Sequence, residues 1–185
     1  VLGLRGVLDQ AVADEDDTEP LRSALMTDLL PLLDAFAAAR SAEGAALAGI
    51  LSAQIDLIAA LTADAAAEAA LRREAMGQSL RDAVTRVLAN AAAVDETRLA
   101  QELALIAVKA DVTEEIDRLT AHVEAARALL ADAGPVGRRF DFLTQEFNRE
   151  ANTLCSKAQS IALTRIGLDL KTVIDQMREQ VQNVE

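Results

Sequence analysis

The sequence predicts an all-α fold, an elongated bundle or set of antiparallel hairpins of long amphipathic helices. Three observations carry that expectation. Of 185 residues 51% are hydrophobic, yet four are Phe and none is Trp or Tyr, so the core must come from Leu, Ile, Val and Ala. The chain is rich in Ala and Leu, which lose little side-chain entropy in a helix, and holds only 8 Gly and 3 Pro. Apolar residues recur at helical spacing, and no useful length of chain alternates with the period of a strand.

The elements follow in order. Asp9–Glu19 (DQAVADEDDTE) is acidic with little to bury, so residues 1–19 read as a mobile linker or domain remnant. Pro20 suits a first helical turn. Leu25, Leu29, Leu32, Leu33 and Phe36, then Leu47, Ile50, Leu51, Ile55, Ile58 and Leu61, predict a helix over Leu21–Ala63 with a kink or fresh start near Pro31. A second helix over Ala66–Leu88 would make residues 20–95 a long-helix hairpin serving as scaffold or oligomerisation element. Asn90 ends that helix and Asp95 caps a third over Glu96–Ala131, stopped by Gly134-Pro135. Val136–Asn183 is helical, as one helix or as two joined near Ser156–Ser160. Residues 96–185 form a C-terminal helical domain with the candidate site. No internal repeat is evident.

Composition narrows the chemistry. No apolar run approaches the roughly 20 residues that cross a bilayer, and no basic-then-apolar leader opens the chain, which predicts a soluble protein. One cysteine, Cys155, excludes an internal disulfide and fits a reducing cytoplasm. A single His and a single Cys exclude a thiolate–imidazole zinc site within one chain. Carboxylates would therefore dominate any metal site, which favours Mg²⁺ or Mn²⁺. The net charge of −12 opposes binding to a polyanion, but most of the excess acid precedes residue 109.

Two helical faces stand out. Asp111, Glu114, Glu115, Arg118 and His122 share one ridge beside the packing stripe of Val112, Ile116, Leu119 and Val123. Gly137–Lys157 (GRRFDFLTQEFNREANTLCSK) is the densest polar segment. Its apolar stripe is Phe140, Leu143, Phe147, Ala151 and Leu154, with Glu146, Glu150, Thr153 and Lys157 on one rim. Asp141, Gln145, Asn148 and Asn152 line the other rim, with Arg149 at the back. Reversal at Gly134-Pro135 would pack the two segments antiparallel and bring Glu115 and His122 against Glu146 and Glu150. That is a carboxylate-rich cage with one imidazole, suited to a hard divalent ion. The plainer alternative is an exposed ridge of ion pairs one turn apart. Cys155 reads as a small packed residue rather than a nucleophile.

Gly137–Lys157, together with Gln101–Val123 (QELALIAVKADVTEEIDRLTAHV) and Ile174–Glu185 (IDQMREQVQNVE), resembles the C-terminal part of the bacterial YicC/YloC proteins. A looser likeness reaches AARSAEGAAL (Ala38–Leu47) and LRGVL (Leu4–Leu8). The resemblance implies a divalent-metal-dependent endoribonuclease acting as a homo-oligomeric ring, six-fold in the intact protein. It also implies a strand-containing domain upstream of LRGVL, so the chain is read as part of a longer protein. On that reading Glu115, His122, Glu146 and Glu150 are catalytic, and Asp111 and Glu114 join them as candidate metal ligands. Arg118, Arg138, Arg139, Asn148, Arg149, Asn152 and Lys157 are the candidate RNA contacts, since Arg holds two phosphate oxygens at once. RNA is the expected partner, with neither DNA nor a membrane. Phe142 is the one plausible stacking platform, so recognition should follow backbone shape. The middle of the second predicted helix (Arg72, Arg73, Gln78, Ser79) fits the family pattern poorly and receives no role. The competing function is a non-catalytic helical module for oligomerisation or partner docking, with ionic stripes setting register.

Overall fold

Helix is the only regular secondary structure among the described residues. The structure, a computed structural model, describes residues 17–90 and 96–184. Most of the expected acidic linker, and Asp95, lie outside the described residues. Five helices follow in order: α1 (Glu19–Asn90), α2 (Glu96–Ala110), α3 (Thr113–Leu130), α4 (Gly137–Lys157) and α5 (Ile161–Val181). No strand occurs among the described residues, which agrees with the predicted all-α class. The chain divides into two units, Val1–Ala45 and Ala46–Glu185.

In the first unit the Asp17 carboxylate accepts from the Glu19 N–H at 3.1 Å, satisfying a donor at the start of α1. Leu25, Leu29, Leu32, Leu33 and Phe36 keep the helical period expected of them but stay exposed. Arg40 lies over the Phe36 ring, 5.8 Å from its centroid.

In the second unit the core joins Leu51, Ile55, Ile58, Ala65 and Ala69 of α1 to Leu119 and Val123 of α3. Phe140, Phe147 and Leu154 of α4 and Leu163, Leu170, Ile174 and Met177 of α5 complete it. Each large side chain buried in this way contributes roughly 1.5–3 kcal/mol. Pairings between helices fix their directions. Asp56 meets Arg127 at 3.0 Å while Arg73 meets Thr113 at 3.0 Å, so α1 and α3 run antiparallel. Lys157 meets Glu115 and Arg118 meets Glu150, so α3 and α4 are antiparallel too. Asn148 reaches Asp175 at 3.2 Å, and Gly167 lies against Cys155, which reverses α5 against α4.

Three expectations need correction. The helical hairpin over 20–95 is instead one 72-residue helix that includes Pro31 and passes through residues 64–65 without a break. Residues 62–70 (TADAAAEAA) hold no Gly or Pro, and alanine propagates a helix. Thr62 donates its hydroxyl back to the Ile58 carbonyl at 2.8 Å rather than opening a turn. The single helix expected over Glu96–Ala131 is broken at Asp111–Val112. There the Asp111 carboxylate accepts from the Thr113 N–H (3.0 Å) and hydroxyl (2.6 Å), a local alternative to continued helix. Finally, the Glu19–Arg86 part of α1 is long and apolar enough to cross a bilayer by length and composition, and 17% of its most apolar window is buried. Interspersed Ala and Leu reach that hydropathy without an unbroken apolar run.

The joint left open near Ser156–Ser160 is a true break. Gln159 takes a left-handed φ of 47°, and the Ser160 hydroxyl accepts from the Leu163 N–H at 3.1 Å to start α5. Arg72 of α1 ties two helix ends together. Its guanidinium donates to the Lys157 carbonyl at 2.9 Å and also to the carbonyls of Ala158 and Ala110. A cation on the last carbonyls of α4 and α2 satisfies orphan acceptors and complements both dipoles.

Candidate metal centre

His122, Glu146 and Glu150 converge in the seam between α3 and α4. Each offers one ligand atom, and these atoms lie within 4.8 Å of one another. Helix geometry explains the set. Glu146 and Glu150 are one turn apart on α4, so both side chains reach toward the same stretch of α3. The reversal through residues 131–136 delivers His122 opposite them. Phe147 packs edge-on against the His122 ring at 5.6 Å between centroids, which limits how the imidazole turns. The His122 Nε2 is sealed from solvent and has no hydrogen-bond partner among the described residues.

The two carboxylates differ in setting. Both were expected at the rim, and Glu146 is there, with 48% of its side chain exposed. Glu150 is instead 3% exposed, a correction that follows from its position nearer the α4 stripe. Arg149 lies 3.6 Å from Glu146, and Arg118 lies 3.2 Å from Glu150. Arg118 also holds Glu114, one turn away on α3. These bonds to Glu150 and Glu114 hold the Arg118 guanidinium more firmly protonated than usual.

The other proposed ligands do not join this group. Glu115 is buried and pairs with Lys157 at 2.8 Å, leaving Oε2 without a hydrogen bond. Glu114 is taken by Arg118. Asp111 is taken by Thr113, whose hydroxyl and N–H lower its pKa. Angular position put all five acids and the imidazole near the seam, but only Glu146, Glu150 and His122 come together along it.

The candidate RNA contacts divide similarly. Arg139 braces Asp132 at 2.6 Å in the α3–α4 turn, where Asp132 also accepts from the Gly134 N–H at 2.9 Å. Those two bonds depress the Asp132 pKa, the Gly134 bond contributing most. Arg138 is exposed and makes no ion pair among the described residues. Asn152 donates to Asn148 at 2.7 Å, and Asn148 donates to Asp175, so the two amides satisfy each other and the neighbouring helix. They line an open groove of about 500 Å³ with Gln145, Arg149 and Arg178. Phe142 is 61% exposed.

Sequence reasoning missed Arg72, whose partners lie 38, 85 and 86 residues away. No local pattern marks such a clamp. Arg178 was more accessible to inference, since it falls in the Ile174–Glu185 block.

Residues 65–185 match the family model described as "Endoribonuclease YicC-like, C-terminal". Over its whole length the chain is 38% identical to the "Probable endoribonuclease YicC" of Haemophilus influenzae. It is 33% identical, over 92% of its length, to a protein of the same description from Clostridioides difficile. The chain spans 62% and 58% of the lengths of these two curated relatives.

Proposed function

The chain belongs to the YicC-like endoribonuclease family through residues 65–185, and from that membership we propose that it carries the metal centre of a divalent-metal-dependent endoribonuclease. The observation that carries this reading is the 4.8 Å convergence of His122, Glu146 and Glu150. Ligand atoms around an ion with bonds of about 2.0–2.3 Å stand roughly 3–4.5 Å apart, so small side-chain movements suffice to close the set. Two carboxylates with one imidazole suit Mn²⁺ somewhat better than Mg²⁺. A His122 ring nitrogen lies within 4.8 Å of the carboxylate oxygens, and Nε2 has no hydrogen-bond partner among the described residues, which supports a ligand role.

When bound, a divalent ion supplies an acidic water and neutralises charge growing on the phosphate. The chain's own residues do the rest. His122, Glu146 and Glu150 would hold the ion, Phe147 sets the His122 ring, and Arg149 steadies Glu146. Arg138, at the start of α4, is a free cation for an RNA phosphate. The substrate we propose is structured or small RNA bound chiefly through its backbone.

We further infer assembly as a homo-oligomeric ring. The exposed apolar face of α1 (Leu25, Leu29, Leu32, Leu33, Phe36) supports it, being more apolar surface than a monomer normally leaves in water. The same face suits the competing reading, a docking module without catalysis.

Mn²⁺ titration separates the two. For a metal centre, saturating Mn²⁺ raises the melting temperature of the wild type and does so far less for Glu146→Gln or Glu150→Gln. The same variants lose cleavage of a structured RNA while keeping their helical circular dichroism. Equal Mn²⁺ stabilisation of all three proteins, with cleavage at the parent rate, sinks the catalytic assignment.

A further inference from the structure

Arg118 stands where two cations would compete. Its Nη1 lies 3.2 Å from Oε1 of Glu150, the buried member of the candidate metal set. A carboxylate with 3% of its side chain exposed has lost most of its water and needs a cation beside it as compensation, and Arg118 supplies that cation. Yet Arg118 is not locked in place. Its side chain is 46% exposed, and Nη2 already holds Glu114, itself 68% exposed. Glu114 therefore gives the guanidinium a second anchor one turn along α3. A divalent ion gathered by His122, Glu146 and Glu150 would meet the Arg118 charge at the same carboxylate, and like charges that close repel strongly where water is scarce.

We propose that Arg118 is an exchangeable counter-ion of the metal centre, holding Glu150 until a divalent ion takes that carboxylate and then keeping only Glu114. Its freed N–H donors then face the edge of the site, where a phosphate oxygen of bound RNA accepts them. The inference rests on reading the three residues as a metal centre, and it adds a cost to metal binding that RNA offsets. A fixed brace would behave in the opposite way, because its removal would leave Glu150 misplaced and weaken the ion.

The experiment measures Mn²⁺ affinity by isothermal titration calorimetry on the whole chain, for the wild type, Arg118→Gln, Glu114→Gln and the double variant. Removing the competing charge should tighten Mn²⁺ binding about tenfold, the scale of one partly screened charge at a half-exposed site. Glu114→Gln strips Arg118 of its second anchor and should weaken Mn²⁺ several-fold, but only while Arg118 is present. In the Arg118→Gln background it should change little, whereas a mere loss of negative field would weaken Mn²⁺ in both backgrounds. Despite tighter metal, Arg118→Gln should cleave RNA at least tenfold more slowly at saturating Mn²⁺. Arg118→Met keeps the packing of the stem and repeats the sign test if the Gln variant loses helicity. Unchanged or weaker Mn²⁺ affinity in a folded Arg118 variant overturns the exchange and leaves the metal centre standing. A wild type that binds no Mn²⁺, or binds it equally after Glu146→Gln, removes both readings.

Discussion

The Lys157 ammonium lies 2.8 Å from Oε1 of Glu115, across the seam between α4 and α3. Glu115 shows only 6% of its side chain to solvent, and its second oxygen has no hydrogen-bond partner. The pair is therefore a neutralised charge beside the packing, with buried Val112 and Leu119 on either side of Glu115 along the chain. Replacing Lys157 by Met should strand the carboxylate and destabilise the chain by roughly 3 kcal/mol, read as a fall in denaturant midpoint. Glu115→Leu combined with Lys157→Met should recover most of that loss. A double variant as unstable as the sum of its singles would mean that the two residues are energetically independent.

The same pair sets a pH dependence. The bond to Glu115 raises the Lys157 pKa above its ordinary 10.5. Stability from this group is thus fully present below about pH 10.5 and is lost as pH rises through the folded value. At the acid end, the Thr113 hydroxyl and N–H hold Asp111 below its ordinary 3.8. That contribution is present above about pH 4 and fades as pH falls through the depressed value. Melting curves should show an alkaline decline that is shallower in Lys157→Met, and an acid decline that is shallower in Asp111→Asn. Matching slopes in variant and parent would assign the titrations elsewhere.

Gly167 lets α4 and α5 approach closely. A Cβ at that position would stand 2.5 Å from the Cys155 Sγ and 3.8 Å from the Cys155 Cα. Alanine ordinarily favours a helix over glycine by about 1 kcal/mol, but here the thiol has only one torsion with which to move aside. Gly167→Ala should destabilise by roughly 1–3 kcal/mol net, and Cys155→Ala in the same chain should restore it. A neutral single variant would mean that the thiol turns away freely.

Arg138 and Arg139 should separate cleanly although they are neighbours. Arg138→Ala should weaken RNA binding and lower the slope of log affinity against log salt by about 0.7–0.9, the value of one lost phosphate contact. Arg139 is already engaged with Asp132 in the α3–α4 turn, so its Ala variant should shift the melting temperature little and leave the salt slope unchanged. A salt slope for Arg138→Ala equal to the parent's would remove Arg138 from the RNA contacts.

Periodicity in the sequence determined that this protein is helical, which faces of α3 and α4 are apolar, and which acids flank them. The stop at Gly134-Pro135 added the reversal that sets His122 against Glu146 and Glu150. These are local properties, written within a few turns of each residue. Tertiary structure alone decided which of the flanking acids meet one another. Glu115 and Lys157 are 42 residues apart, and Arg118 and Glu150 are 32 apart. A slide of one turn, 5.4 Å, between two helices keeps every face inward and changes every partner. That is why Glu115 could be placed in the seam but not separated from the group formed by His122, Glu146 and Glu150. It is also why Arg72, which ties the ends of α2 and α4, carried no signal in the chain. The unbroken course of α1 and the break at Asp111 were decided by close balances, alanine propagation in one case and a carboxylate-satisfied turn in the other.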